Sequence, residues 1–201
     1  MSGLTVVVEG QTEERFVKSV LIPHLGNLGI VASAMIVATK RDPKTGQKLA
    51  KGGGRWGQWK RDIQGVLRNG SQWVNVTTML DFHALHHSFP GVSMSYQHSK
   101  PLETVRKLEA AMKAEIDDYR FVPYIQCHEF EALVLAGIKK YWRDVFDKPD
   151  QRKGVESVIR DIGSTPPEEV DGGDETAPSK RLLSHIPDYD EIIHGVAIGK
   201  C

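Results

Sequence analysis

Four short runs of apolar and β-branched residues recur along the chain, and each is followed by a helical period. The runs are Leu4 to Val8, Ile30 to Thr39, Trp73 to Leu80 and Phe121 to Ile125. A continuous apolar run without alternation suits a strand buried on both faces, as in a parallel sheet. Helical spacing follows at Phe16, Val17, Val20 and Leu21, then at Trp56, Trp59, Ile63, Val66 and Leu67. It returns at Leu102, Val105, Leu108, Met112 and Ile116, and again between Gln126 and Phe146. This alternation predicts an α/β fold, a mostly parallel four-stranded sheet flanked by helices. Thr12 is placed to cap the first helix, with Glu13 and Glu14 in its first turn. Pro123 points to an edge position for the fourth strand.

The alternation ends near Phe146, so residues 1–148 are expected to form the α/β domain. Residues 149–201 read as a helical and loop extension packed on the same domain. That extension has a weak helix near Gly154 to Ile162, an acidic loop from Glu168 to Glu175, and a short helix from Ser179 to Ile186. The 26 basic and 26 acidic residues cancel, so any nucleic-acid footprint must be local. Cys127 and Cys201 form no spaced framework, which argues against a disulfide scaffold or a cysteine zinc site. A reducing, cytoplasmic setting is expected, and no apolar stretch is long enough to span a bilayer.

In open parallel sheets, ligands bind beyond the carboxyl ends of the strands. Glu9, Asp81 and the His128-Glu129 segment each fall just past a predicted strand end. Carboxylates converging there repel one another unless a cation lies between them. Mg²⁺ suits such oxygen ligands and keeps waters for substrate phosphates. Glu9 alone reads equally well as a helix cap; Asp81 at an equivalent rim position favours the metal. His128 beside Glu129 is a candidate proton shuttle or phosphate contact.

Cations cluster in the expected loop from Lys40 to Arg55. It carries Lys40, Arg41, Lys44, Lys48, Lys51 and Arg55 against one acid, Asp42, and includes Gly52-Gly53-Gly54. Such a segment can hold phosphates, although no Gly-Lys-Ser/Thr makes it a P-loop. A solvated basic loop fits it equally. Lys180 and Arg181 either reach a phosphate or lie on a surface helix. His83, His86 and His87 offer a zinc alternative, but without cysteine a polar loop beside the site is the preferred reading.

The segment Val6-Val7-Val8-Glu9-Gly10-Gln11-Thr12-Glu13 resembles the glutamate motif of the TOPRIM (topoisomerase-primase) domain. Met79-Leu80-Asp81-Phe82-His83 stands where that family has Asp-x-Asp. More particular are Cys127-His128-Glu129-Phe130-Glu131-Ala132-Leu133 and Ala177-Pro178-Ser179-Lys180-Arg181-Leu182. Together the four segments are similar to a small uncharacterised bacterial TOPRIM-like family, domain of unknown function 4276, over nearly the whole chain. The resemblance implies Glu9 as metal ligand or general acid/base and Asp81 as metal ligand, with Mg²⁺ or Mn²⁺ as cofactor. His83 replaces the second aspartate, a ligand that Mn²⁺ accepts better than Mg²⁺. Glu129 or Glu131 would then supply the missing carboxylate, with Gly10 and Glu13 supporting the site. A first-turn charge explains Glu13 as well. The implied partners are nucleic acid and an SMC-like or AAA ATPase encoded nearby, in arrangements suggestive of phage defence. A further terminal helix after Gly195 is also implied.

The resulting expectation is a metal-dependent, nuclease-like phosphoryl-transfer protein. One alternative is a catalytically degenerate subunit that senses nucleic acid or docks an ATPase. Another is a phosphohydrolase of small molecules.

Overall fold

In the computed structural model, residues 2–41, 48–51, 53–92, 101–170 and 176–200 are described, without the side chains of 40, 41 and 48–51. They fall into two units, Met1–Gln126 and Cys127–Cys201. The division lies ahead of the 148/149 boundary expected above, so the helix after Gln126 groups with the C-terminal elements.

The first unit is built on four parallel strands, as expected, and their order across the sheet is β2-β1-β5-β6. They are β1 (Gly3–Val8), β2 (Val31–Ile36), β5 (Val74–Met79) and the edge strand β6 (Phe121–Val122). Val6, Val7 and Val8 are all buried although they alternate between faces, which confirms a sheet covered on both sides. Val7 enters a core formed with α3 (Trp56–Asn69) and α4 (Pro101–Ile116). Trp56 and Trp59 pack there, on Phe89. A helical run comprising α1 (Gln11–Phe16), a π turn (Val17–Leu21) and α2 (Ile22–Asn27) packs against β2. Gly10, not Thr12, is the residue before this run. Glu13 Oε2 accepts the Gly10 N–H at 2.7 Å, and Thr12 is buried inside the first turn.

Two local differences from the expectation matter. The basic segment is not a plain loop. After Ile36 the chain continues into β3 (Ala38–Arg41), which pairs antiparallel with β4 (Lys48–Lys51). The fourth strand is shorter than expected because Pro123 has no N–H to give the ladder. Thr78 fills the gap: its hydroxyl donates to Tyr124 O at 2.8 Å and accepts Tyr124 N–H at 2.9 Å. Pairing then resumes as a parallel bridge between Asp81 and Gln126.

The second unit is helical: α5 (Glu131–Val145), α6 (Pro149–Ile162), α7 (Pro178–His185) and α8 (Val196–Lys200). Its own core includes Ile138, Phe146, Val155, Val158 and Leu182. Among the described residues, no helix is long and apolar enough to cross a membrane.

Candidate active site at the carboxyl rim of the sheet

The chain enters β1, crosses to β2 on one side, and returns past β1 to β5 on the other. The strand order therefore reverses between β1 and β5, where open α/β sheets form a ligand crevice. Parallel register pairs Val8 with Met79, so Glu9 and Asp81 emerge at the same rim. Glu9 N–H donates to Met79 O at 3.1 Å, and Glu9 Oε2 accepts Asp81 N–H at 3.3 Å. The two acids, 72 positions apart, are thus neighbours.

A glycine turn closes on Glu9 from the far end of the basic hairpin. Gly53 N–H donates to Glu9 O at 3.3 Å, and a Cβ on Gly53 would lie 3.9 Å from Glu9 Oε1. Gly53 and Gly54 have φ values of +61° and +103°, which favour glycine. A Cβ on Gly54 would also fall 2.5 Å from Gln58 Oε1. The turn is fastened from below: Trp59 Nε1–H donates to Gly53 O at 3.0 Å, and Gln58 Oε1 accepts Arg55 N–H at 2.7 Å.

Burial pushes the Glu9 carboxyl above the usual carboxylate range. The Asp81 N–H opposes this, and the nearby Glu13 charge adds to it. Glu13 therefore holds Gly10 and also adds to the rise at Glu9. Among the described residues, no three His, Cys, Asp or Glu side chains stand together as a metal cage. Glu9 and Asp81 still fit a hard cation of the Mg²⁺ type, which is held by one or two carboxylates with waters and substrate oxygens around it.

His83 lies exposed in the single 3₁₀ turn Phe82–Ala84 that follows Asp81. His86 is half-buried. His86 Nδ1 accepts Ser88 N–H at 3.1 Å and lies 2.9 Å from Ser88 Oγ, and the His86 and His87 rings are 3.9 Å apart. Arg55 is exposed directly before α3. The backbones of Lys40, Arg41, Lys48 and Lys51 belong to the hairpin, and their side chains lie outside the described set. Lys44, Asp42 and Gly52 lie outside the described residues altogether.

The remaining candidates belong to the second unit. His128 adopts φ +62° and is fully buried, and its Nε2 is hydrogen-bonded to Glu168 O at 2.8 Å. Glu129 Oε1 accepts Ser179 N–H at 2.5 Å, in the first turn of α7. The two segments that carry the most particular resemblance thus hold each other. Glu131 is buried and hydrogen-bonded to Glu191. Burial, then the Glu129 charge, pushes it up to about 8. Arg181 is committed to Asp161 at 2.5 Å and to Thr176 O at 2.8 Å, whereas Lys180 is exposed.

Sequence reasoning missed Ser88, Gln58 and the role of Gly53 as a neighbour of Glu9. Only the glycine triplet gave a signal, and it was read as room for a phosphate rather than for Glu9.

A family model described as Domain of unknown function (DUF4276) matches residues 8–201. Nothing matches among curated proteins. Of solved structures, the C-terminal region of the Burkholderia pseudomallei OLD protein is similar at 16% identity and TM-score 0.42, over 99% of this chain and 87% of that one. The C-terminal region of the Xanthomonas campestris pv. campestris OLD protein is similar at 13% identity and TM-score 0.35, over 98% and 90%.

Proposed function

Because the chain belongs to the DUF4276 family, whose description supplies no activity, we propose a function from the rim itself: metal-dependent cleavage of nucleic-acid phosphodiesters on a TOPRIM-like domain. The supporting observation is the bond from the Asp81 backbone N–H to Glu9 Oε2 at the point where strand order reverses. Glu9 and Asp81 would hold Mg²⁺ or Mn²⁺, which when bound supplies Lewis-acid polarisation of a phosphoryl oxygen and activates water. The protein's own part is positional. Strands β1 and β5 fix both acids, and the Gly53 turn closes one side of Glu9. The raised proton affinity of Glu9 suits a group that takes part in proton exchange. The basic hairpin, preceded by Val37 bonded to Val8 O and followed by Gly53 bonded to Glu9 O, would neutralise the nucleic-acid backbone. Phage defence and an ATPase partner extend this reading through the family resemblance.

The test is cleavage of single- and double-stranded DNA and RNA with Mn²⁺ or Mg²⁺. Glu9→Gln and Asp81→Asn should each lower the rate at least ~100-fold, the scale of losing a group that acts on the reacting atoms. Cleavage that survives both changes rejects the assignment. A second reading is favoured by one observation: the described residues offer no three-ligand cage, and His83 stands where a second acid is expected. The protein would then bind nucleic acid, or an ATPase, without turnover. Tight nucleic-acid binding with no cleavage under any divalent metal selects it. A panel of small phosphate esters tests the phosphohydrolase alternative.

A further inference from the structure

Two segments leave the Glu9–Asp81 contact and meet again a few residues later. One runs from Gly53, bonded to Glu9 O, to Trp56. The other runs from Asp81 through the 3₁₀ turn to His86 and Ser88. Trp56 N–H closes the ring by donating to Ser88 Oγ at 3.0 Å. The three-residue step from Gly53 to Trp56 can span at most roughly 11 Å, which keeps this junction near the rim.

At the junction, the protonation of one imidazole is fixed by its partners. A backbone N–H can only donate, so the Ser88 N–H at 3.1 Å makes His86 Nδ1 an acceptor. Ser88 Oγ already accepts from Trp56, which leaves its hydrogen free to point at the same Nδ1, 2.9 Å away. The proton of the neutral ring is therefore on Nε2. No described residue accepts from Nε2, and the ring is only half-buried. The chain of donors begins at the first N–H of the 14-residue helix α3, whose positive end strengthens it. Partial desolvation, then His87 and Arg55, hold the His86 pKa below the usual histidine value, in keeping with a neutral ring.

We propose that His86 presents Nε2–H as an oriented neutral donor to an anionic phosphate oxygen at the carboxyl rim, beside the cation of Arg55, with Ser88 as the positioning residue. This rests on the reading that the rim meets phosphodiesters, but it concerns binding, not cleavage. A zinc role for His86 would require the Nδ1 lone pair that Ser88 occupies, or an Nε2 freed of its proton.

The test uses the full chain in EDTA, so that no cleavage intervenes, and a labelled single-stranded DNA oligonucleotide followed by fluorescence anisotropy. His86→Ala should weaken binding about tenfold, the cost of one hydrogen bond to a charged oxygen. His86→Gln, which retains an N–H donor, should recover most of it, and Ser88→Ala should fall between. Salt dependence separates the two contacts. Removing a neutral donor leaves the slope of log Kd against log salt unchanged, whereas Arg55→Ala should lower it by about 0.7 for a single strand. His86→Ala binding like the parent, or changing the slope as Arg55→Ala does, overturns the proposal. A readout on the unmutated protein is the imidazole ¹⁵N spectrum. His86 should show the Nε2–H tautomer, and its Nε2 signal should move on adding the oligonucleotide. A proton on Nδ1, or no movement with either oligonucleotide or inorganic phosphate, overturns it. Movement with inorganic phosphate but none with the oligonucleotide also overturns it, since the site would then take small phosphate esters and not a nucleic-acid backbone. If His86 governs affinity yet no metal supports cleavage, the cleavage assignment fails and this one stands.

Discussion

Glu9 and Glu131 are both buried acids whose proton affinity is raised, yet they sit in different chemistry. Glu9 has a backbone donor from Asp81 that favours its charge, and it stands at a strand end. Glu131 faces two further carboxyls, Glu129 and Glu191, and is hydrogen-bonded to the latter. The sign for stability follows from linkage. A folded-state pKa raised from 4.5 to about 8 means the folded chain binds the extra proton between those values. Stability contributed by the protonated form is present below the lower value and lost as pH rises through the upper one. Glu131→Gln keeps a hydrogen for Glu191 and removes the titration. The Tm difference, variant minus parent, should be near zero at pH 5 and grow to at least ~3 °C at pH 8, about 1 kcal/mol for a chain of this size. A difference that does not change with pH between 5 and 8 would show that Glu131 is charged when folded.

At the scale of elements, glycine shows how packing decides the sign of a substitution that sequence alone treats as uniform. Gly65, within α3, has no atom within 4 Å of where a Cβ would stand. Gly65→Ala should stabilise by ~0.5–1 kcal/mol through helix propensity. Gly154, within α6, would place its Cβ 2.1 Å from His185 O at the end of α7. Gly154→Ala should cost ~1–3 kcal/mol despite the same propensity gain, because the backbones must part. Urea unfolding of the two variants should give opposite shifts in midpoint, and shifts of one sign would contradict the packing. The same contrast explains what was legible beforehand. The strand runs Leu4 to Val8 and Trp73 to Leu80 announced themselves because burial on both faces leaves no polar positions. The β3–β4 hairpin did not, since Ala-Thr-Lys-Arg and Lys-Leu-Ala-Lys show no regular alternation of apolar and polar residues in the sequence. Fourth-strand pairing was harder still: it depends on the Thr78 hydroxyl reaching across to Tyr124, and no local pattern encodes that. Glu9 and Asp81 were legible as a pair because parallel strands must end on a common rim. The partners of His128 and Glu129 were not, because Glu168 and Ser179 come from distant positions.

For the whole molecule, the decisive quantity is whether the folded state binds a divalent cation that the unfolded chain does not. The proposed site would meet that condition, since Glu9 Oε2 is held to the Asp81 backbone N–H across adjacent strands and unfolding separates residues 72 positions apart. The linkage is quantitative: a ligand at 100 times its Kd raises folding stability by about 2.7 kcal/mol. For a chain of about 200 residues, roughly 2–4 °C accompanies each kcal/mol. Saturating Mn²⁺ should therefore raise Tm by about 5–10 °C, with the gain increasing as log concentration above Kd. Asp81→Asn should abolish the gain while leaving the metal-free Tm close to the parent's. This measurement needs no substrate and no turnover, so it separates a rim that holds metal but does not cut from one that holds none. A gain that persists in both Asp81→Asn and Glu9→Gln would place the cation elsewhere in the chain. With no gain in the parent, these acids are structural in the apo protein, and any cation would have to arrive with the phosphate it neutralises.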